Sequence, residues 1–351
     1  MTENAADHVR EPLIVAGDLG GTNFRVEARI GSTTVLSHMF GNVRDSGSIF
    51  PIIEKVVADL PSEPAAACFA IAGRVDQSGT KAYVTNLQWE VDASELERCG
   101  IGRHVTLLND FEAVALGLSS VGADEVIPIR GESTQGDMVV LGPGTGLGVA
   151  FRLRTGSGYV VRATESGHEE WPARSGREWA IRQYLSARKG NEYLAEGFDL
   201  HDTPSRVSFE EIVSGRGLIN VYNALCGAES LPRSGLVEGT ISQDPAQAAS
   251  AISAAARSGD PTCQQAFRIF FDGLAVLAGD LALQGVPGGV FIVGNIVRRN
   301  LDMFSSDRFL EVFDRKDPHE EMLRSTPVFI VSSPRELGVE GAAIRAMALF
   351  E

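Results

Sequence analysis

A pattern that occurs twice restricts this chain more than any other feature. An apolar strand ends, glycine and threonine turn the chain, and a second strand-like stretch follows at once. The first instance is Leu13-Ile14-Val15-Ala16-Gly17-Asp18, then Leu19-Gly20-Gly21-Thr22-Asn23, then Phe24 to Ile30. The second is Met138 to Leu141, then Gly142-Pro143-Gly144-Thr145-Gly146-Leu147-Gly148, then Val149 to Leu153. Strand, turn and strand make a hairpin, whereas Rossmann and P-loop units pass from strand to glycine turn to helix. That difference decides against the commoner nucleotide folds.

In the first turn, Gly20 and Gly21 permit positive φ and let successive N–H groups approach a ligand oxygen. Thr22 and Asn23 add side-chain donors. A plain hairpin turn would also account for this segment taken alone. The second turn gathers four glycines and a threonine, more than a hairpin needs, and so implies close approach of the backbone to a ligand. Two phosphate-cradling hairpins in one chain resemble the actin, hexokinase and heat-shock ATPase superfamily, in which the nucleotide lies in a cleft between two similar domains.

Charge narrows the ligands. The 351 residues carry 46 acidic and 31 basic side chains, a net charge of -15, which disfavours nucleic acid and anionic membranes as partners. An anionic nucleotide then needs a local site of amides, a metal ion and a few cations. No stretch approaches the roughly 20 apolar residues that span a bilayer. The polar N-terminus lacks the pattern of a signal peptide and reads as a disordered tail over residues 1–11, so a cytoplasmic protein is expected. Cys68, Cys99, Cys226 and Cys263 are scattered without a C-x-x-C pair, and read as reduced thiols rather than disulfides or a zinc site.

Between the hairpins, helical and strand-like patterns alternate: a helix over Ser48 to Leu60, a buried strand over Ala65 to Ala72, a helical turn over Ala93 to Arg98, a strand over Val105 to Leu108, and a helix over Phe111 to Leu118. That succession argues α/β architecture. The later half is more helical, with Arg177 to Lys189, Phe209 to Val213 and Gly217 to Cys226. Two further helices open on Asp-Pro pairs: Asp244 to Ser258, and Asp260 to about Gln284. A strand over Val328 to Ser332 precedes a C-terminal helix. The expected division is a small domain over 12–110, a large one over 111–337, and a last helix, 338–351, returning to the first.

Three places carry chemistry. Asp18, at a strand end, suits a hydrated metal ion. Asn109-Asp110 follows the strand Val105 to Leu108; Asp110 suits a base that accepts a hydroxyl proton, and Asn109 suits either a helix cap or a sugar ligand. Glu165 and His168, three apart beside Gly167, offer the paired acceptor and donor that a polyhydroxylated ligand needs, while an ordinary surface turn is the competing reading. No second histidine follows at helical spacing to make a zinc signature.

Seven stretches in one order then resemble the bacterial glucokinase family, in the non-zinc branch of the hexokinase-like superfamily. They are Gly17 to Asn23, Thr85-Asn86-x-x-Trp89, Leu108 to Phe111, Gly142 to Val149, Glu165 to His168, Ser214 to Gly217 and Gly288 to Gly294. They span the chain from Leu13 to the last helix. The resemblance implies a two-domain, ribonuclease H-like fold with the active site in a cleft. It implies phosphorylation of D-glucose to glucose 6-phosphate by ATP and Mg2+, the entry step of glycolysis, in a homodimer. It assigns Asp110 as catalytic base, and Asn86, Asn109, Glu165, His168 and Glu210 as sugar ligands. Thr22, Thr145 and their glycines (Gly20, Gly21, Gly144, Gly146), with Asn23, match the phosphate loops, and Gly294 the adenosine side. Asp18 would hold Mg2+ through water.

Four positions depart from the family pattern: Asn295 and Arg74 replace a usual glycine and proline, and Thr164 and Ser166 replace glycines around Glu165. The sequence therefore leaves open a kinase for another hexose or an amino sugar, a polyphosphate-dependent kinase, and a sugar-binding regulator without catalysis.

Overall fold

A computed structural model describes residues 11–132, 134–156, 158–188, 206–244 and 247–350. The expected disordered tail lies outside them, except for Glu11. The chain divides into two compact units, one of residues up to Gly122 together with Ser333 onward, the other Ala123–Ser332.

The first unit is built on the strands β1 (Leu13–Leu19), β2 (Phe24–Ile30) and β3 (Thr33–Phe40), followed by helix α1 (Phe50–Asp59). Next come β4 (Ala66–Ile71) and a small sheet of β5 (Gly73–Val75), β6 (Lys81–Val84) and β7 (Trp89–Asp92). Helix α2 (Ala93–Arg98), strand β8 (His104–Asn109) and helix α3 (Asp110–Gly117) complete it up to Gly122. The main sheet has the order β3-β2-β1-β4-β8. β1 and β2 form the antiparallel hairpin read from the sequence, while β4 and β8 run parallel to β1.

The second unit repeats this plan. It comprises β9 (Val126–Arg130), β10 (Met138–Pro143), β11 (Leu147–Thr155), β12 (Gly158–Thr164), α4 (Gly176–Arg188), α5 (Gly215–Ala228) and α6 (Gly235–Gln243). Then follow α7 (Ala248–Arg257), α8 (Pro261–Ala282), β13 (Gly289–Ile292), α9 (Asn295–Arg299), α10 (Ser306–Asp314), α11 (Glu320–Ser325) and β14 (Val328–Val331). Its sheet has the order β12-β11-β10-β13-β14-β9. Again a hairpin, β10–β11, abuts two parallel strands, β13 and β14. Helix α12 (Leu337–Phe350) belongs to the first unit.

Period-two alternation explains the first sheet. Leu13, Val15 and Leu19 face one core with α1, while Ile14 and Ala16 face another with α3 and α12. β4, central and covered on both faces, is buried throughout, which is why its sequence reads as a continuous apolar run. Because α3 packs on α12, the division falls after Gly122 and not near Asp110.

In the second unit, α8 is the spine of the core. Asp260 accepts from the Cys263 N–H at 2.9 Å and Pro261 occupies the first turn, as the sequence implied. The other Asp-Pro reading is corrected. Asp244 ends α6, and α7 begins only at Ala248 behind Gln247; Pro245 lies outside the described residues. The segment after Ser208 is a 3-10 turn over Phe209–Glu211, stopped short of a helix and locked by Glu211 accepting from the Ser208 N–H at 2.8 Å. All four cysteines are free thiols, and burial pushes the Cys68 thiol well up, so it stays protonated.

Candidate active site

In each unit the candidate residues sit where parallel strands end, the edge at which open α/β sheets bind ligands. In the first unit, Leu19, Ile71 and Asn109 stand in one row across β1, β4 and β8. Asp18 lies just before that row and Asp110 just after it. Their proximity shows in the chemistry of Asp18. Burial, then the charges of Asp110 and Glu336, raise its pKa from 3.8 to about 7, with Arg25 opposing.

Asn109 caps helix α3. Its Oδ1 accepts from the N–H groups of Phe111 (3.0 Å) and Glu112 (3.2 Å), and its Nδ2 donates to the Gly73 carbonyl at 3.1 Å. The amide nitrogen carries a second N–H, which is the part open to a ligand. Asp110 is thus the first residue of α3, its direction fixed by the capped helix behind it.

The first turn closes between Leu19 and Phe24, with the Gly20 N–H donating to the Asn23 carbonyl at 2.9 Å. Thr22 and Asn23 are exposed at its tip. Neither Gly20 nor Gly21 uses the positive φ open to it. Gly21 packs closely on Asn86, for a Cβ there would lie 3.1 Å from the Asn86 side chain. Asn86, assigned to the sugar pocket by resemblance, therefore stands against the Gly20–Asn23 turn.

In the second unit the backbone of Leu147 joins the Gly144–Gly146 turn to Glu210 and to the Glu165–His168 turn. The turn Gly144-Thr145-Gly146 closes between Pro143 and Leu147, with Thr145 exposed at the tip. The Leu147 N–H donates to Glu210 Oε2 at 3.0 Å. On its other side, a Cβ on Gly167 would come within 2.1 Å of the Leu147 carbonyl oxygen, so only glycine lets the Glu165–His168 turn lie this close. The chain then runs beside the segment that carries Glu210: the Phe209 N–H donates to the Glu169 carbonyl and the Trp171 N–H to the Val207 carbonyl. Glu165, His168 and Glu210 are thereby brought to one end of the sheet. His168 Nε2 stands 3.9 Å from Glu165 Oε2, with both side chains largely exposed.

Gly294 lies at the end of β13, next to β10. Its φ of +106° belongs to glycine, and a Cβ would meet the Pro143 carbonyl oxygen at 2.7 Å. The Gly144–Gly146 turn, Gly294 and the start of α5 thus meet, with the Gly215 N–H donating to the Gly144 carbonyl at 2.8 Å.

A sequence profile of the glucokinase family matches residues 15–349. The chain belongs to the glucokinase family. A glucokinase of Trichormus variabilis is 31% identical over 356 aligned residues, covering 96% of this chain and 99% of its own. Among solved structures, the glucokinase of an Antarctic psychrotroph has a TM-score of 0.73 at 27% identity, covering 96% of this chain and 99% of its own. A Balamuthia mandrillaris glucokinase solved with glucose has a TM-score of 0.76, covering 98% and 96%; at 23% identity it speaks for the fold alone. The two-domain α/β fold expected from the motifs is that of the family.

Against this family, three of the four departures find local explanations. Asn295 begins α9 and its Oδ1 accepts from Arg298 Nη2 at 2.8 Å; the positive φ falls on Gly294, so a second glycine has no conformational task here. Thr164 and Ser166 bond to each other, Oγ1 to Oγ at 3.1 Å, stiffening the turn that glycines would leave free. Arg74 is exposed on β5, and nothing in the structure explains the replacement. Sequence reasoning missed two features: the Leu147–Glu210 bond and the approach of Gly167 to Leu147. A short-range signal for the second was present in the glycine itself.

Gly167→Ala should therefore push the Glu165–His168 turn away from Leu147 and the Gly144–Gly146 turn. The expected result is a rise in glucose KM of about tenfold or more, because displacing a positioning element by an ångström costs on that order or beyond. Steady-state kinetics on the folded variant checks it; an unchanged KM would contradict the packing argument.

Proposed function

We propose that this chain catalyses the glucokinase reaction, transfer of the γ-phosphoryl group of ATP to the 6-hydroxyl of D-glucose, with Asp110 as base. The observation that carries the reading is the placement of Asp110 at the end of β8, held by the Asn109 cap and close enough to Asp18 to raise its proton affinity. Asp110 accepts the proton of the sugar hydroxyl as that oxygen attacks phosphorus. Asn86, Asn109, Glu165, His168 and Glu210 supply the remaining hydroxyl partners. Gly20, Gly21, Thr22 and Asn23, with Gly144, Thr145 and Gly146, offer amides and hydroxyls to the phosphates, and Gly294 leaves room for the base.

Asp18 suits Mg2+ held through water. A crowded carboxylate that prefers a proton near neutrality also favours a cation. Among the described residues no cluster of three or more His, Cys, Asp or Glu forms a cage, which fits an ion that keeps most of its water shell. When bound, the ion would neutralise charge on the donor phosphates. The reading extends to a cytoplasmic homodimer that does not bind nucleic acid, the last supported by the net charge of -15. No helix among the described residues is long and apolar enough to cross a membrane.

A substrate panel tests the sugar. Turnover with MgATP is measured for glucose, mannose, fructose, glucosamine and N-acetylglucosamine, and glucose should give the highest kcat/KM. A preference for another sugar would retain Asp110 and reassign the pocket around Thr164 and Ser166. Absence of turnover with all five would favour a regulator.

A further inference from the structure

Glu210 is assigned to the sugar, yet both its oxygens already have partners within the second unit. Oε2 accepts from the Leu147 N–H at 3.0 Å, and Oε1 accepts from Arg216 Nη2 at 2.6 Å. The carboxylate lies directly under the phosphate turn, for a Cβ added to Gly146 would be 2.5 Å from Oε2. A negative charge at that point repels the anion the turn is built to hold. Arg216 offsets it. We propose that Arg216 is a phosphate ligand for the nucleotide donor, positioned by Glu210, whose two oxygens each keep a lone pair for the sugar.

Three observations converge. Arg216 sits in the first turn of α5, whose Gly215 N–H is bonded to the Gly144 carbonyl of the phosphate turn at 2.8 Å, so its backbone is fixed to that turn. Ser214 secures the same corner, donating to the Glu210 carbonyl at 2.7 Å and accepting from the Gly217 N–H at 2.9 Å. The Arg216 side chain is 64% exposed while its partner Glu210 is 15% exposed. The guanidinium thus reaches solvent while the carboxylate that holds it is covered. A guanidinium has five donors, and the pair to Glu210 uses one Nη2 bond, so the fork can still meet phosphate oxygens. In a chain of net charge -15, a cation tethered to the phosphate turn has a clear electrostatic task. Arg216 also lies in the Ser214 to Gly217 motif, for which the sugar and base assignments give no role.

This inference rests on the reading of the second hairpin as the donor site, and the test separates the two. Wild type, Arg216→Ala and Arg216→Lys are assayed with glucose and MgATP, with tripolyphosphate and adenosine as competitors of ATP. Arg216→Ala should raise the KM for ATP about 10- to 100-fold, the scale of a lost charge-assisted contact. It should weaken tripolyphosphate by a similar factor, leave adenosine within about twofold, and leave the glucose KM within about threefold. Arg216→Lys should recover part of the loss. An unchanged ATP KM in Arg216→Ala, or equal weakening of adenosine and tripolyphosphate, overturns the assignment of Arg216. Failure of tripolyphosphate to compete with ATP in wild type would instead overturn the donor site itself.

Discussion

Asp110→Asn is expected to reduce kcat by about 10^2- to 10^4-fold, the usual contribution of a positioned base, while glucose affinity changes little. The amide keeps the size and the oxygen of the carboxylate but cannot take a proton. The fold around it should survive, because the cap of α3 is supplied by Asn109 through its bonds to Phe111 and Glu112. Loss of activity would thus be a chemical effect. Glucose binding by calorimetry, alongside kcat from a coupled assay, separates the two quantities. Turnover near that of wild type would remove Asp110 from the base role, and loss of glucose binding in parallel would make it a ligand first.

Asp18→Asn should act in the opposite sense on stability. In the folded protein the carboxyl has a pKa raised from 3.8 to about 7. Folding therefore takes up a proton between those values. Below about pH 4 the carboxyl is neutral in both states and costs nothing, between about pH 4 and 7 folding must protonate it, and above about pH 7 the full penalty stands, so relative stability falls as pH rises through that window. At 1.36 kcal/mol per unit, the penalty at pH 8 is at most about 4 kcal/mol. In EDTA, Asp18→Asn should therefore melt above wild type at pH 8, and the difference should vanish toward pH 4. Magnesium should raise the melting temperature of wild type and leave the variant unmoved. The same variant should lose kinase activity, giving the opposed changes in stability and function that mark a site residue. A variant less stable than wild type at pH 8 without metal would contradict the account of Asp18.

Much of this was legible in the chain because the relevant signals are local. Each hairpin announces itself through glycines set directly between apolar strands, and β4 through an unbroken buried run. Asp260-Pro261 places a helix start within one residue, since cap and proline act on the adjacent backbone alone. The same logic failed at Asp244, where a preceding helix needed that residue for its own end. The division between the units was misplaced because the packing of α3 on α12 joins positions more than 200 residues apart, which no local pattern records. Motif matching brought Glu165, His168 and Glu210 into one list. Their juxtaposition around the Leu147 backbone, with Arg216 bonded to Glu210, comes from strand and turn pairing that only the folded chain displays.

The most direct test of the central claim is the product itself. The protein is incubated with glucose and MgATP, and phosphorus NMR follows every phosphorylated species. The account predicts glucose 6-phosphate and ADP formed one to one. Phosphate attached to a different hydroxyl, or ADP with inorganic phosphate and no sugar phosphate, would contradict it.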